Sequence, residues 1–421
     1  MKNESKEVKE LSSENDDKKF LIVSPQDIKS GVVTDKYFIW TEKILRSKGL
    51  NPRVVAEITA REWGIFSGLN DVLSLLEGKN VDVYAMPEGS IFYPNEPVMV
   101  IEGNYLEFAR LETSLLGFIC HSSGVSRAAF KAKFAAKDKK VLSFGTRRQH
   151  PALAAMIERA AYIGGVDGVS NYSAEKYLGL KSVGTMPHAL IICFGDQVEA
   201  WRAFDEVVER GVPRIMLVDT YCDEKSEAIM AVERVERVDG VRLDTPSSRR
   251  GDIRAIIEEI RWELFLRGKD VNIVLSGGIS FEEIAKLRDI VDAFGVGTSI
   301  ACAKPVDFAL DLVEKEGKAV AKRGKFGGRK VILRDGVIDV VVPYERAKDE
   351  SESVLVKVIE GGEITKDGEI ASSMEGGRSR ALRTMELVRD FFVGDGRCAF
   401  KETLKGALIR TPDDTDLKSL L

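Results

Sequence analysis

The chain of 421 residues is short of cysteine and histidine, has no large excess of charge of either sign and contains no long apolar run. Its five cysteines, Cys120, Cys193, Cys222, Cys302 and Cys398, are far apart and form no Cys-x-x-Cys pair. Neither a zinc ribbon nor a thioredoxin-like site is therefore indicated. Buried free thiols in a reducing compartment are the expected state, with disulfides of the intracellular hyperthermophile kind left open. A net charge of −5 argues against a global basic field for nucleic acid or a membrane surface. The longest apolar runs, such as Ala189 to Phe194, are far too short to span a bilayer, and no signal-peptide core is visible, so a cytoplasmic protein is expected. The 31% of charged residues lean toward an ion-pair-rich, heat-tolerant surface.

What is present organises the chain into segments. Residues 1–19 are mostly Lys, Glu, Asp, Ser and Asn and read as a disordered, solvated tail, with a regulatory role as the alternative. Residues 20–138 read as an α+β region. It would hold a helix from Tyr37 to Lys48, short strands between Val81 and Ile101, and two helices, over about 106–122 and 124–136. Residues 139–305 alternate strand and helix, with strands expected to begin at Val141, Asp167, Ala189, Arg214, Val241, Asn272 and Asp292. Helix-period stretches fall at Glu224–Val238, Asp252–Leu266 and Phe281–Arg288. Seven such repeats predict an α/β chain with an irregular or incomplete (β/α) barrel; a doubly wound open sheet is the rival. Residues 306–421 read as a C-terminal segment packing on the N-terminal region, which makes one α+β domain from both ends of the chain. Asp335-Gly336 between apolar runs signals a hairpin. The Gly-Gly pairs at 327, 361 and 376 look like turns, and Arg378, Arg380 and Arg383 read as a solvated helix face.

The chemistry gathers where the strands stop. Candidate strands run into Phe144-Gly145-Thr146-Arg147-Arg148, Ser170-Asn171, Asp219-Thr220, Arg242-Leu243-Asp244 and Ser276-Gly277-Gly278. In a parallel barrel such ends converge on one rim, where these folds keep their active sites. Gly277-Gly278 and Gly297-Thr298 end consecutive late strands ahead of helices, an arrangement suited to cradling phosphate. Asp219 and Asp244 suit Mg²⁺ or sugar hydroxyls, or else cap helices. Arg147, Arg148 and Arg242 suit anionic ligands. His188 is one of three histidines. Together they suggest transfer chemistry on a phosphorylated, polyanionic substrate.

The motifs Thr34-Asp35-Lys36-Tyr37, Leu111-Glu112-Thr113, Ser123-Gly124-Val125-Ser126-Arg127, Phe144-Gly145-Thr146-Arg147-Arg148, Gly184-Thr185-Met186-Pro187-His188 and Val241-Arg242-Leu243-Asp244, with the two glycine loops, cover roughly residues 30–330. Taken together they resemble the nicotinate phosphoribosyltransferase family, of type II phosphoribosyltransferase fold, related to quinolinate and nicotinamide phosphoribosyltransferases. The resemblance implies transfer of phosphoribose from phosphoribosyl pyrophosphate to nicotinate, with Mg²⁺ and with ATP as a possible co-substrate. It implies that Phe144 and a neighbouring subunit's Tyr37 sandwich the pyridine ring, so that a homodimer or higher oligomer shares its sites. Arg242 would bind the carboxylate, with Arg147 against the ring and phosphates. Thr146 and Arg148 would also contact substrate. Asp244 would hold ribose hydroxyls, while Gly277, Gly278, Gly297 and Thr298 would cradle the 5′-phosphate. Asp219 would orient His188 or the metal, Arg110 would reach a partner's site, and His188 would be the residue that ATP phosphorylates.

Ser170 stands where nicotinamide-using relatives carry an aspartate, which favours nicotinate. Chain length and the His188 segment argue against quinolinate. The loop after Asp244 departs from the family in continuing Thr245-Pro246-Ser247-Ser248-Arg249-Arg250. Only Cys398 lies where some archaeal relatives carry a zinc knuckle, so no zinc site is expected. A non-catalytic phosphosugar-binding barrel remains the rival of another class, although it would need only the glycine loops. A barrel aldolase or isomerase would want a strand-end lysine, and no proposed barrel strand ends in one.

Overall fold

The computed structural model describes residues 20–347, 353–394 and 407–421. The tail expected over 1–19, and Cys398, lie outside the described residues. Helix α1 (Lys36–Ser47) precedes strands β1 (Arg53–Ala60), β2 (Val81–Ala85) and β3 (Pro97–Asn104). One helix, α2 (Glu112–Ala136), then replaces the two that were expected. The Ser122-Ser123-Gly124 cluster read as a break, yet all three residues are buried inside the helix. They mark a close approach instead: a Cβ on Gly124 would come within 2.6 Å of the Lys304 carbonyl. Small residues let the helix cross the chain there without interrupting it.

Six parallel strands follow: β4 (Lys140–Ser143), β5 (Gly168–Val169), β6 (Ile215–Leu217), β7 (Gly240–Leu243), β8 (Asn272–Leu275) and β9 (Ala293–Val296). Their order is β5-β4-β9-β8-β7-β6. Between them lie helices α3 (Ala154–Ile163), α4 (His188–Phe194), α5 (Gln197–Val207), α6 (Glu224–Arg234), α7 (Ile253–Leu266) and α8 (Phe281–Leu287), and α9 (Thr298–Ala301) follows the last strand. The seventh strand expected at Ala189 is thus helix α4. A short apolar run has no periodicity to tell strand from helix. Here Pro187 at the N-cap and left-handed Gly195 at the C-cap bracket a helical turn, each at the end it favours. Without that strand the sheet's edges, β5 and β6, do not pair; Ser182 alone bridges Val169 in parallel. The barrel is incomplete.

The C-terminal segment supplies β10 (Phe308–Lys315), β11 (Lys318–Ala319), the hairpin β12 (Lys330–Asp335) and β13 (Ile338–Pro343), β14 (Val356–Glu360), β15 (Glu363–Ile364), helix α10 (Met374–Val393) and β16 (Leu408–Arg410). The N-terminal sheet is completed by these late strands in the order β11-β10-β1-β3-β2-β14-β15, and β12-β13-β16 form a further small sheet. Both ends of the chain therefore build one α+β layer beside the barrel. Gly376 and Gly377 lie inside α10, not in a turn. On the same helix the arginines are not a solvated row. Arg378 donates to the carbonyls of Tyr162 (3.2 Å) and Val166, and Arg380 to that of Glu88; only Arg383 is exposed.

One buried ion pair ties the parts together. Glu88 is fully buried and accepts from the Gly68 and Leu69 amides at 2.7 and 2.9 Å. Arg159 of α3 grips it at 2.9 and 2.6 Å and also donates to the Ser372 carbonyl at 2.9 Å. A buried carboxylate needs this many donors to offset lost hydration.

Candidate active site

The barrel strands run parallel, so the residues after them meet at one end and enclose a cleft of about 310 Å³. Phe144, Arg147 and Arg148 follow β4, and Ser170 follows β5. From β7 come Arg242, within the strand, and Asp244, just after it. Gly277 and Gly278 follow β8, and Gly297 with Thr298 joins β9 to α9. All ten were expected at the rim. Close packing explains Gly295, part of the second glycine loop but given no role of its own: a Cβ there would sit 2.5 Å from the Phe144 ring.

The charged groups form one cluster. Arg242 Nη2 lies 3.0 Å from Asp244 Oδ2, and Nη1 donates to the Thr185 hydroxyl. The guanidinium stands 5.9 Å from the Phe144 ring centre, and its buried Nε has no partner among the described residues. Ser276 donates to Asp244 Oδ1 at 2.6 Å. Asp219 follows β6; its Oδ2 accepts from the Asp244 amide at 2.8 Å and lies 2.8 Å from the Thr245 hydroxyl. Burial pushes the Asp219 carboxyl above the usual range, against the Thr245 hydroxyl, the Asp244 amide and the nearby His188. Its Oδ1 is buried and has no hydrogen-bond partner among the described residues, with His188 Nε2 3.8 Å away. His188 is the first residue of α4, not the residue before a strand. Its Nε2 lies 3.8 Å from Asp219 and 3.7 Å from Asp244, and its Nδ1 3.0 Å from the Thr220 hydroxyl.

Five expected residues lie outside the cleft lining: His188 and Asp219, which stand behind it against Asp244, and Thr146, Tyr37 and Arg110. Thr146 is buried and accepts from Asn171 at 2.9 Å, joining the loops after β4 and β5. Tyr37 stands exposed on α1 beside Asp35, and Arg110 pairs with Glu42 of α1 at 3.3 Å. The Ser123–Arg127 motif serves packing. Ser126 donates to the Ala160 carbonyl at 2.7 Å and Arg127 binds Glu62 at 2.6 Å. Thr185 and Ser276 were quoted within motifs but given no role; both hold the Arg242–Asp244 pair. The four described cysteines are free, but Cys193, Cys222 and Cys302 are exposed and Cys120 is half-buried, which corrects the expectation of buried thiols. Among the described residues no helix is long and apolar enough to cross a membrane.

Two family models match. The quinolinate phosphoribosyl transferase N-terminal domain covers residues 35–123, and the C-terminal domain of the same family covers 125–311. A nicotinate phosphoribosyltransferase of Mycobacterium tuberculosis is 33% identical over 261 residues, 60% of this chain and 55% of its own length. That of Bacillus subtilis is 32% identical over 253 residues, 56% of this chain and 50% of its own length. The matches thus span about half the length of these curated relatives. Among solved structures, a nicotinate-nucleotide pyrophosphorylase from Pyrococcus furiosus is 49% identical with a TM-score of 0.84, covering 90% of this chain and 100% of that one. Human nicotinic acid phosphoribosyltransferase shares the fold at 19% identity and a TM-score of 0.66, over 84% of this chain and 94% of that one. With its two-domain α/β architecture and its rim of strand-end arginines and aspartates, the chain belongs to the quinolinate phosphoribosyl transferase family, whose two domain models together match most of it.

Proposed function

We propose that the protein transfers phosphoribose from phosphoribosyl pyrophosphate to the ring nitrogen of nicotinate, giving nicotinate mononucleotide and pyrophosphate for NAD synthesis. The observation that carries this reading is Arg242, a largely buried guanidinium beside the Phe144 ring with an unpartnered Nε. A planar aromatic acid meets both needs at once, stacking on Phe144 and taking the guanidinium fork. Asp244 then faces the ribose hydroxyls, with Arg147 and Arg148 toward the phosphates and Gly277, Gly278, Gly297 and Thr298 around the 5′-phosphate. The pyridine lone pair forms the new bond to the anomeric carbon as the bond to pyrophosphate breaks with its electron pair, so no general base is required. The protein's contribution is positioning and charge stabilisation.

Mg²⁺ fits as a companion of the pyrophosphate. Such ions are held by one or two carboxylates plus substrate phosphates, and Oδ1 of Asp219, which lacks a hydrogen-bond partner among the described residues, would be one such ligand; the ion would neutralise the leaving group. His188, flanked by two carboxylates, is the residue ATP would phosphorylate. The site is completed by a second copy, whose Tyr37 covers the pyridine and whose Arg110 reaches in. Tyr37, Trp40 and Ile44 are exposed on successive turns of α1, which supports an interface there. Such small-molecule chemistry belongs in the cytoplasm.

The test offers nicotinate, nicotinamide and quinolinate separately, with phosphoribosyl pyrophosphate and Mg²⁺, with and without ATP. Mononucleotide should form from nicotinate, faster with ATP, and His188→Ala should remove the ATP stimulation. Product from nicotinamide or quinolinate alone would move the protein to a sister activity. No product from any of the three would favour a phosphosugar-binding barrel.

A further inference from the structure

We infer that Glu227 is the positioning residue for the rim histidine, acting through Thr220. Glu227 sits in the first turn of α6 and is fully buried, yet it pairs with no cation among the described residues. Its carboxylate instead accepts three successive backbone amides: Thr220 at 3.1 Å on Oε2, then Tyr221 at 2.7 Å and Cys222 at 2.8 Å on Oε1. A buried carboxylate must be met by donors, and here the donors are the whole loop that follows Asp219. Asp223 closes the wrap by capping α6, accepting from the Ser226 amide at 2.9 Å.

The consequence reaches His188. With its backbone held by Glu227, Thr220 presents its hydroxyl 3.0 Å from His188 Nδ1. The other ring nitrogen faces Asp219 and Asp244 at 3.8 and 3.7 Å. Two carboxylates opposite Nε2 favour the proton there in the neutral ring, which leaves Nδ1 to accept from Thr220. The Glu227–Thr220 pair thus sets both the rotation and the tautomer of the imidazole. Helix α4 alone would not, because His188 is its first residue and its ring reaches across to the loop after β6. The inference deepens the proposed transfer reaction and rests on the place of His188 in it.

The chain has three histidines, so ¹⁵N-histidine labelling gives a readable set of ring signals, with that of His188 assigned by its loss in His188→Asn. In the full-length protein, Thr220→Val should move the His188 ¹⁵N shifts away from the Nε2–H pattern, and Thr220→Ser should restore them. Glu227→Gln sets an amide donor against a donor amide or leaves amides unmet, and should move the same signals. In both damaging variants the ATP-stimulated kcat should fall roughly ten- to a hundredfold, as misplacement of a reacting group by about an ångström does, with little change in the KM for nicotinate. His188 signals unchanged in Thr220→Val would overturn the inference, whether or not Glu227→Gln folds. A wild-type protein that forms no mononucleotide would sink the transfer reading, while the ¹⁵N comparison would still decide this one.

Discussion

Asp244 ties three groups of the rim together. It meets Arg242 at 3.0 Å and Ser276 at 2.6 Å and faces His188 at 3.7 Å. Removing it should release Arg242 as well as the proposed ribose contact. For Asp244→Ala we expect a rise of roughly ten- to a hundredfold in the KM for phosphoribosyl pyrophosphate, the scale of a lost charge-assisted hydrogen bond, read from initial rates at saturating nicotinate. Glu112, at the start of α2, shows a different residue-scale effect. Burial, with Asp311 and Asp35 nearby and Lys322 opposing, pushes its carboxyl up to about 7. Between the unperturbed value of 4.5 and about 7 the folded state holds more of this proton than the unfolded one, so stability falls as pH rises through that window. Glu112→Gln should flatten the fall. Comparing urea midpoints at about pH 5 and about pH 8 checks it, and an unchanged slope would contradict it.

At the scale of elements, the six parallel strands were legible because each ends an apolar run at a polar or glycine residue. Convergence of Phe144, Arg242, Asp244 and the glycine loops follows from that one fact. Helix α4 was not legible, since six apolar residues fit either period and the deciding signals, Pro187 and Gly195, flank the run. The single helix α2 was missed for the opposite reason: Gly124 is there for contact with residue 304 and not to end a helix. Arg378 and Arg380 looked like a surface row because a sequence does not show which carbonyls lie within reach. Nothing local marks Glu227 either, which bonds only backbone. Strand β9 carries its own prediction. Gly295→Ala would set a methyl group against the Phe144 ring, so the KM for nicotinate should rise several-fold while that for phosphoribosyl pyrophosphate holds, as overpacking costs of about 1–3 kcal/mol imply. Equal changes in both constants would argue against a ring-stacking role for Phe144.

For the whole molecule, the Glu88–Arg159 pair joins the N-terminal sheet region, helix α3 of the barrel and the C-terminal chain at Ser372. Arg159→Ala leaves a buried carboxylate without its cation, and should lower stability by roughly 3–5 kcal/mol, seen as a lower urea midpoint. A shift within error would mean that another group replaces the arginine. Among the described residues, the cleft itself is lined only by those of the barrel segment, from Phe144 to Thr298. In the proposed reaction Arg242 reads the carboxylate of nicotinate. The most direct measurement is the ratio of kcat/KM for nicotinate over nicotinamide, in the wild type and in Arg242→Ala. We expect a preference for nicotinate of at least roughly a hundredfold that collapses in the variant, because a site built for a charged partner discriminates strongly. A wild-type ratio near unity, or a preference untouched by the substitution, would contradict it.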